Sequence, residues 1–271
     1  MPSEPIAMPA PSGPTLLAFE LATEACSVAL LHGGELFARH APAPRRHAEL
    51  ALPWAEALLA EAGLGKSRID ALAVGIGPGA FTGVRLAISL AQGIALGLGR
   101  PVLPVSTLAA LAEPFLAGGP VLAAIDARMG ELYLGEYAAD AEGLPVALEP
   151  ECLVPVGEAA TLLQARWAAR PGRDGASAGP RFRVVGSGAA AAGGAWLASL
   201  ADRLSGAEPE ALPTAAAVAR IARRDFLAGR VLAPERLEPR YLRDKVALTA
   251  AEQAAARAAR ALIPRCSPGR S

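Results

Sequence analysis

Residues 15–41 alternate short apolar runs with small polar turns. The runs "TLLAFELA" (15–22), "CSVALLH" (26–32) and "ELFARHA" (35–41) each have strand length. The pattern predicts three successive strands in a meander. Gly33 and Gly34 separate the second and third runs, and a two-residue hairpin can need positive φ at both positions, which glycine supplies. From His47 to Gly63 the period changes. Leu50, Trp54, Ala57 and Leu58 recur at helical spacing, and Gly63 marks a stop. Pro53 predicts a kink or restart inside this helix, because it removes a backbone donor and crowds the preceding turn. "IDALAVGIG" (69–77) is continuously apolar after Asp70, which suits a central strand covered on both faces. A helix from Phe81 to Leu98, a strand at "PVLPVS" (101–106) and a short helix at "TLAALAEPFL" (107–116) follow.

A second cycle begins near Gly118. "VLAAIDA" (121–127) and "ELYLGEY" (131–137) read as strands flanking the turn "RMG", and "ECLVPVG" (151–157) as a further strand. Glu158–Arg170 reads as helix, "PGRDGASAGP" (171–180) as loop, and "RFRVVGSG" (181–188) as a strand running into glycines. An alanine-rich helix to Leu204 is expected next. A helix over 212–229 has Thr214 to cap it, Val218, Ile221 and Phe226 on its apolar face, and Gly229 beyond its end. Thr249 and Glu252 stand at capping-box spacing and predict a last helix, with a frayed end after it. The order predicts an α/β protein with a mixed sheet and helices on its faces. Its parts are a flexible leader (1–14), a first half (15–117), a second half (118–245) and a C-terminal helix and tail (246–271).

Composition narrows the class. The 271 residues are 52% hydrophobic and 19% charged, as a folded protein with a substantial core requires. The proline-rich start has neither the basic nor the apolar region of a signal peptide. No uninterrupted apolar run reaches the ~20 residues of a membrane helix. Formal net charge is zero, which argues against a protein that grips nucleic acid alone. Cys26, Cys152 and Cys266 are far apart and odd in number, so a reducing cytoplasm is the simplest compartment.

Candidate chemistry centres on the turn Gly75-Ile76-Gly77-Pro78-Gly79. It follows a strand and precedes a helix, where phosphate is often held. It departs from the dinucleotide fingerprint at the last glycine, it lacks a Gly-Lys-Ser/Thr, and Pro78 has no N–H to offer. A tight strand-to-helix turn is the reading preferred, with phosphate binding as the alternative. The helix it launches is unusual. Val84, Ile88, Ala91, Ala95 and Leu98 form one apolar row and Leu86, Leu90, Ile94 and Leu98 a second. Charge is nearly absent after Arg85, and Gly93 and Gly97 stand one turn apart. A surface helix carries one apolar stripe and a polar back, so this one requires a second cover, either internal or from another subunit. Neither His32 nor His40 has a partner at metal-ligand spacing; His47-Ala48-Glu49 at a helix start is suggestive of a ligand pair, but His47 reads rather as a solvated helix-end residue. Glu20 and Asp126 end corresponding strands of the two halves and are the candidate Mg²⁺ carboxylates, although the turns after them lack phosphate-cradling residues. Arg220, Arg223, Arg224, Arg236, Arg240, Arg243 and Lys245 gather late, as a solvated basic face or an RNA contact.

"LAFELATEACSVALL", "GIGPGAFTGVRLAISLAQGIA", "PVLPVSTLAALA", "AAIDARMGELYLGEY" and "EPRYLRDKVA" together resemble the bacterial TsaB family over roughly residues 15–245. The resemblance implies an actin-like/Hsp70-like ATPase fold of two ribonuclease-H-like halves. It implies a dimerisation subunit without catalytic residues or a metal of its own. Its catalytic paralogue, TsaD, transfers threonylcarbamoyl from its adenylate to adenosine 37 of tRNAs that read ANN codons. A TsaE ATPase joins them, so ATP and Mg act on the partners, and tRNA is met only through the complex. The paralogue's His-x-x-x-His metal pair falls on Thr107 and Leu111 here. Where most members read Asp-Thr-Ser or Asp-Thr-Ala, this chain has Glu20-Leu21-Ala22, which leaves Glu20, Thr23 and Asp126 as a candidate vestigial nucleotide site.

The leading expectation is a non-catalytic, cytoplasmic scaffold subunit that homodimerises when its partner is absent. The interface is placed on Trp54 and Leu58 of the first helix and on Phe81, Val84, Arg85, Ile88, Leu90, Ala91 and Ala95 of the second. Ile88→Asp or Leu90→Asp is then expected to break the complex and leave a folded monomer. The runner-up is an ATP-dependent transferase or metallopeptidase of the same superfamily, and the third reading is an RNA-binding module.

Overall fold

A computed structural model describes residues 13–170 and 179–243. The meander forms as the alternation requires, with β1 (Thr15–Glu20), β2 (Ala25–His32) and β3 (Glu35–Pro42) antiparallel in sequence. Gly33 and Gly34 both adopt positive φ at the β2–β3 turn. The helix α1 (His47–Glu61) leads to β4 (Ala71–Gly75), then α2 (Phe81–Leu98), β5 (Val102–Val105) and α3 (Thr107–Ala112). Strands β4 and β5 join parallel, giving a first sheet of order β3-β2-β1-β4-β5. Leu17 and Phe19 of β1 and Leu72 and Val74 of β4 face α1 and α2. Leu16, Ala18, Ala71 and Ala73 face the opposite side. A continuous apolar run is thus resolved by period-2 geometry into two buried faces.

The second sheet repeats the plan. β6 (Val121–Arg128), β7 (Glu131–Ala139), β8 (Pro145–Ala147) and β9 (Cys152–Pro155) precede α4 (Val156–Ala168). β10 (Phe182–Val185) and β11 (Leu204–Glu208) follow it. The order is β11-β10-β6-β7-β8, with β9 also paired to β7. Again an antiparallel meander is followed by parallel strands. Between the two sheets lie α3 and the last described helix, α5 (Ala215–Leu227), sharing one core with β1, β2, β4, β5 and β6. The chain therefore has the two-lobed, actin-like/Hsp70-like ATPase superfamily fold of two ribonuclease-H-like halves. α5 follows the second sheet in sequence yet packs on the first.

Four details differ from the sequence reading. Pro53 does not restart α1, which runs unbroken through it. The carbonyl that loses its donor belongs to Glu49, which is exposed and can bond to water. The inward row of α1 is Ala51, Ala55, Leu58 and Leu59, with Trp54 at its flank. The alanine-rich helix to Leu204 is instead 3₁₀ turns over Ser187–Arg203, broken where Ala192, Gly193 and Gly194 take positive φ. The break turns the chain back so that β11 can lie parallel to β10; β8 and β11 were not anticipated. Thr214 caps α5 through Ala217 N at 3.2 Å, and Gly229 beyond its end has φ +70°. The predicted 249–262 helix, and most of the predicted 171–180 loop, lie outside the described residues.

Candidate functional site

The glycine turn is shaped by the chain itself. A side chain at Gly75 would overlap the Glu20 carboxylate, one at Gly79 the Ala22 carbonyl, and one at Gly83 the Leu21 carbonyl. Ala80 N donates to Ala22 O at 2.7 Å. The glycines let the start of α2 press against the β1–β2 turn. The tight-turn reading accounts for each of these contacts.

The acids of the candidate nucleotide site are engaged locally. Glu20 is fully buried; its Oε1 accepts from Ala22 N at 2.8 Å and its Oε2 from Thr107 Oγ1 at 3.1 Å. Burial pushes its carboxyl up to about 7. Thr107 in turn accepts from Gly77 N at 3.2 Å, so Glu20 ties the ends of β1 and β4 to α3. Thr107 and Leu111 are core residues. Thr23 sits in the β1–β2 turn, and its carbonyl lies 3.0 Å from His47 Nε2. His47 is therefore a half-buried tie between turn and helix, not a solvated residue. Asp126, in the other sheet, accepts from Arg128 N at 2.8 Å and holds the β6–β7 turn. Among the described residues no three His, Cys, Asp or Glu side chains gather as a metal-binding group.

The helix α2 corrects the interface reading in part. Val84, Ile88, Ala91 and Ala95, with Leu58 of α1, are buried in the chain's own core. The outer face of the first sheet needs that row as its cover. By length and composition α2 could cross a membrane, but its inward row packs on this sheet. Leu90 and Trp54 are half-buried, and Phe81 and Arg85 are exposed. What α2 turns outward is Phe81, Arg85, Ser89, Gly93, Leu96 and Gly97, with Leu86 and Leu90 on its flank. A side chain at Gly93 or Gly97 would meet nothing within 4 Å. Leu96 was missed as a candidate, although its place between the two glycines marked it.

Beside the start of α2, a cleft of about 260 Å³ separates it from the β6–β7 turn. Residues 240–243 border the cleft and strap the lobes together. Arg240 N donates to Ile76 O at 2.9 Å and its Nε pairs with Glu151 at 3.0 Å. Arg243 donates to Ala127 O at 3.0 Å and pairs with Glu131 at 2.5 Å. Glu151 also accepts from Ser106 Oγ at 2.5 Å and from the Tyr137 hydroxyl, so first-sheet and second-sheet elements meet on one buried carboxylate. Tyr241 of the strap was missed as a site residue; its signal was the "EPRYLRDKVA" stretch. The late arginines are largely paired. Arg220 holds Glu113, Arg224 holds Asp140 and Asp225, and Arg240 and Arg243 are paired as above. Lys245 lies outside the described residues. This favours a neutralised surface over an RNA contact.

Comparison with known proteins agrees with this architecture. Residues 41–251 match the profile of the TsaD family, described as tRNA N6-adenosine threonylcarbamoyltransferase. The chain is 38% identical over 240 residues to the Escherichia coli tRNA threonylcarbamoyladenosine biosynthesis protein TsaB, covering 86% of this chain and 96% of that one. It is 48% identical over 125 residues to the Haemophilus influenzae protein of the same name, covering 45% and 53%. A crystal structure of a Pseudomonas aeruginosa protein with similarity to peptidase YEAZ superposes with a TM-score of 0.72 at 37% identity, covering 85% of this chain and all of that one. With its two lobes, its glycine turn locked on β1 and the Escherichia coli relative spanning most of both chains, the chain belongs to the TsaB family.

Proposed function

We propose that this chain acts in tRNA threonylcarbamoyladenosine biosynthesis as a non-catalytic, cytoplasmic scaffold subunit. It binds and supports a TsaD-like catalytic subunit in threonylcarbamoyl transfer to adenosine 37 of ANN-decoding tRNAs. ATP and Mg serve the catalytic subunit and a TsaE-like ATPase, and tRNA is engaged through the assembly. The observation that carries this reading is the outward side of α2. It is apolar, lined by two glycines with open space above them, and uncharged from Leu86 to its end. Such a surface admits a partner helix at close range. Alone, the chain covers the same surface by pairing with a second copy. The engaged state of Glu20 and Asp126 supports the absence of a separate chemistry here.

The test is co-purification with the TsaD-like subunit of the same organism. Leu96→Asp places a charge on the outward side without touching the core, and it is expected to abolish the complex while the chain stays folded. A complex of normal yield with Leu96→Asp in place would remove α2 from the interface.

A further inference from the structure

Where the interlobe cleft meets the outward side of α2, three large apolar side chains stand in solvent. Phe81 is 53% exposed, Tyr241 48% and Met129 74%. They come from α2, the strap and the β6–β7 turn. The Phe81 and Tyr241 rings stack with centroids 6.4 Å apart. The Arg85 guanidinium lies 3.2 Å over the Phe81 ring and 5.1 Å from that of Tyr241. Met129 is held out by a costly backbone. Arg128 and Met129 take φ of 65° and 57°, which non-glycine residues rarely adopt, and Asp126 secures the turn. Aromatic residues, Met and Arg are the types enriched at the centre of protein–protein interfaces.

The charges around the cleft are unequal. Arg128 pairs with Asp126, Arg240 with Glu151 and Arg243 with Glu131. Among the described residues no carboxylate lies within ion-pair distance of Arg85. Stacking fixes its guanidinium plane and leaves the N–H edge for a carboxylate, which it can bind bidentately. At about 260 Å³ the cleft is smaller than the roughly 300–1,000 Å³ of small-molecule sites, and it suits one inserted side chain.

We propose that Phe81, Arg85, Met129 and Tyr241 form a clamp for an acidic residue of the partner subunit with an apolar side chain next to it. The carboxylate pairs with Arg85, and the apolar group enters between Phe81 and Met129. The inference rests on the reading of α2 as the partner face, which Phe81 and Arg85 begin. RNA is the competing occupant, because exposed rings and arginines also stack bases. With three of the four arginines already neutralised, little positive charge remains for phosphates, and a single carboxylate fits better.

Calorimetric titration of the full chain with the TsaD-like subunit tests this. Arg85→Gln and Tyr241→Ala, both at exposed positions, are expected to weaken binding by about tenfold or more. Arg85→Lys keeps the charge but loses the planar fork, and is expected to lose most of the same affinity. Gly93→Leu, on α2 outside the clamp, is titrated in parallel. If Gly93→Leu weakens binding and Arg85→Gln does not, the clamp is refuted and the α2 face stands. If neither weakens binding while both variants remain folded, face and clamp fail together. If Arg85→Gln leaves partner affinity unchanged but removes a salt-dependent shift of tRNA by the lone chain, the occupant is RNA and the proposal is overturned.

Discussion

Replacing Gly93 and Gly97 by alanine is expected to stabilise the chain and weaken its complex. Both glycines lie in α2, and a Cβ at either meets nothing within 4 Å, so the substitution carries no steric cost. Glycine in a helix interior is about 1 kcal/mol less favourable than alanine. Gly97 stands in the last turn, where the gain is smaller, so the pair together contributes up to about 2 kcal/mol. For a chain of this size each kcal/mol raises Tm by roughly 2–4 °C. The double variant alone is therefore expected to melt up to about 4–8 °C higher in a thermal scan. In the complex the added methyls occupy the space through which a partner helix approaches, and the affinity for the TsaD-like subunit is expected to fall. A lower Tm would mean that the glycines serve internal packing. A higher Tm with unchanged affinity would mean that no partner approaches this stripe.

Glu20→Gln addresses the buried carboxyl. Its folded value is raised from 4.5 to about 7, so the fold favours the protonated form. The group's contribution is fully favourable below pH 4.5 and is lost as pH rises through 7. About 1.4 kcal/mol per unit gives a loss of about 3 kcal/mol. The variant is expected to flatten the difference in urea stability between pH 5 and pH 8, and an unchanged pH slope would refute the burial argument. Ile88→Asp is expected to unfold the chain and not merely to part it from a partner, because it puts a charge into the core at a cost above about 4 kcal/mol; a cooperative melt close to that of the parent chain would contradict this. Gly83→Ala forces a Cβ into the Leu21 carbonyl and should cost several kcal/mol, read by denaturant midpoint, whereas a neutral outcome would mean that the β1–β2 turn gives way easily.

Much of the fold was legible because its periodicities are strong. The meander, α2 and the capped α5 each rest on local signals: paired glycines, an unbroken apolar helix, Thr214. The failures came where tertiary context decides. The alanines of 187–203 suit a helix, yet Gly193 and Gly194 let the chain reverse for a parallel strand. Two apolar rows on α2 were visible, but which row the sheet would cover depends on register in three dimensions. That is why Val84, Ile88, Ala91 and Ala95 stood among the interface candidates and Leu96 did not. Tyr241 could not be placed against Phe81 from sequence, because 160 positions separate them.

Site-specific photocrosslinking tests the central claim most directly. A photoreactive residue at Leu96 is predicted to crosslink to the TsaD-like subunit in the assembled complex, while one at the exposed Arg223 of α5 stays silent. Crosslinking from Arg223 with none from Leu96 would contradict the account.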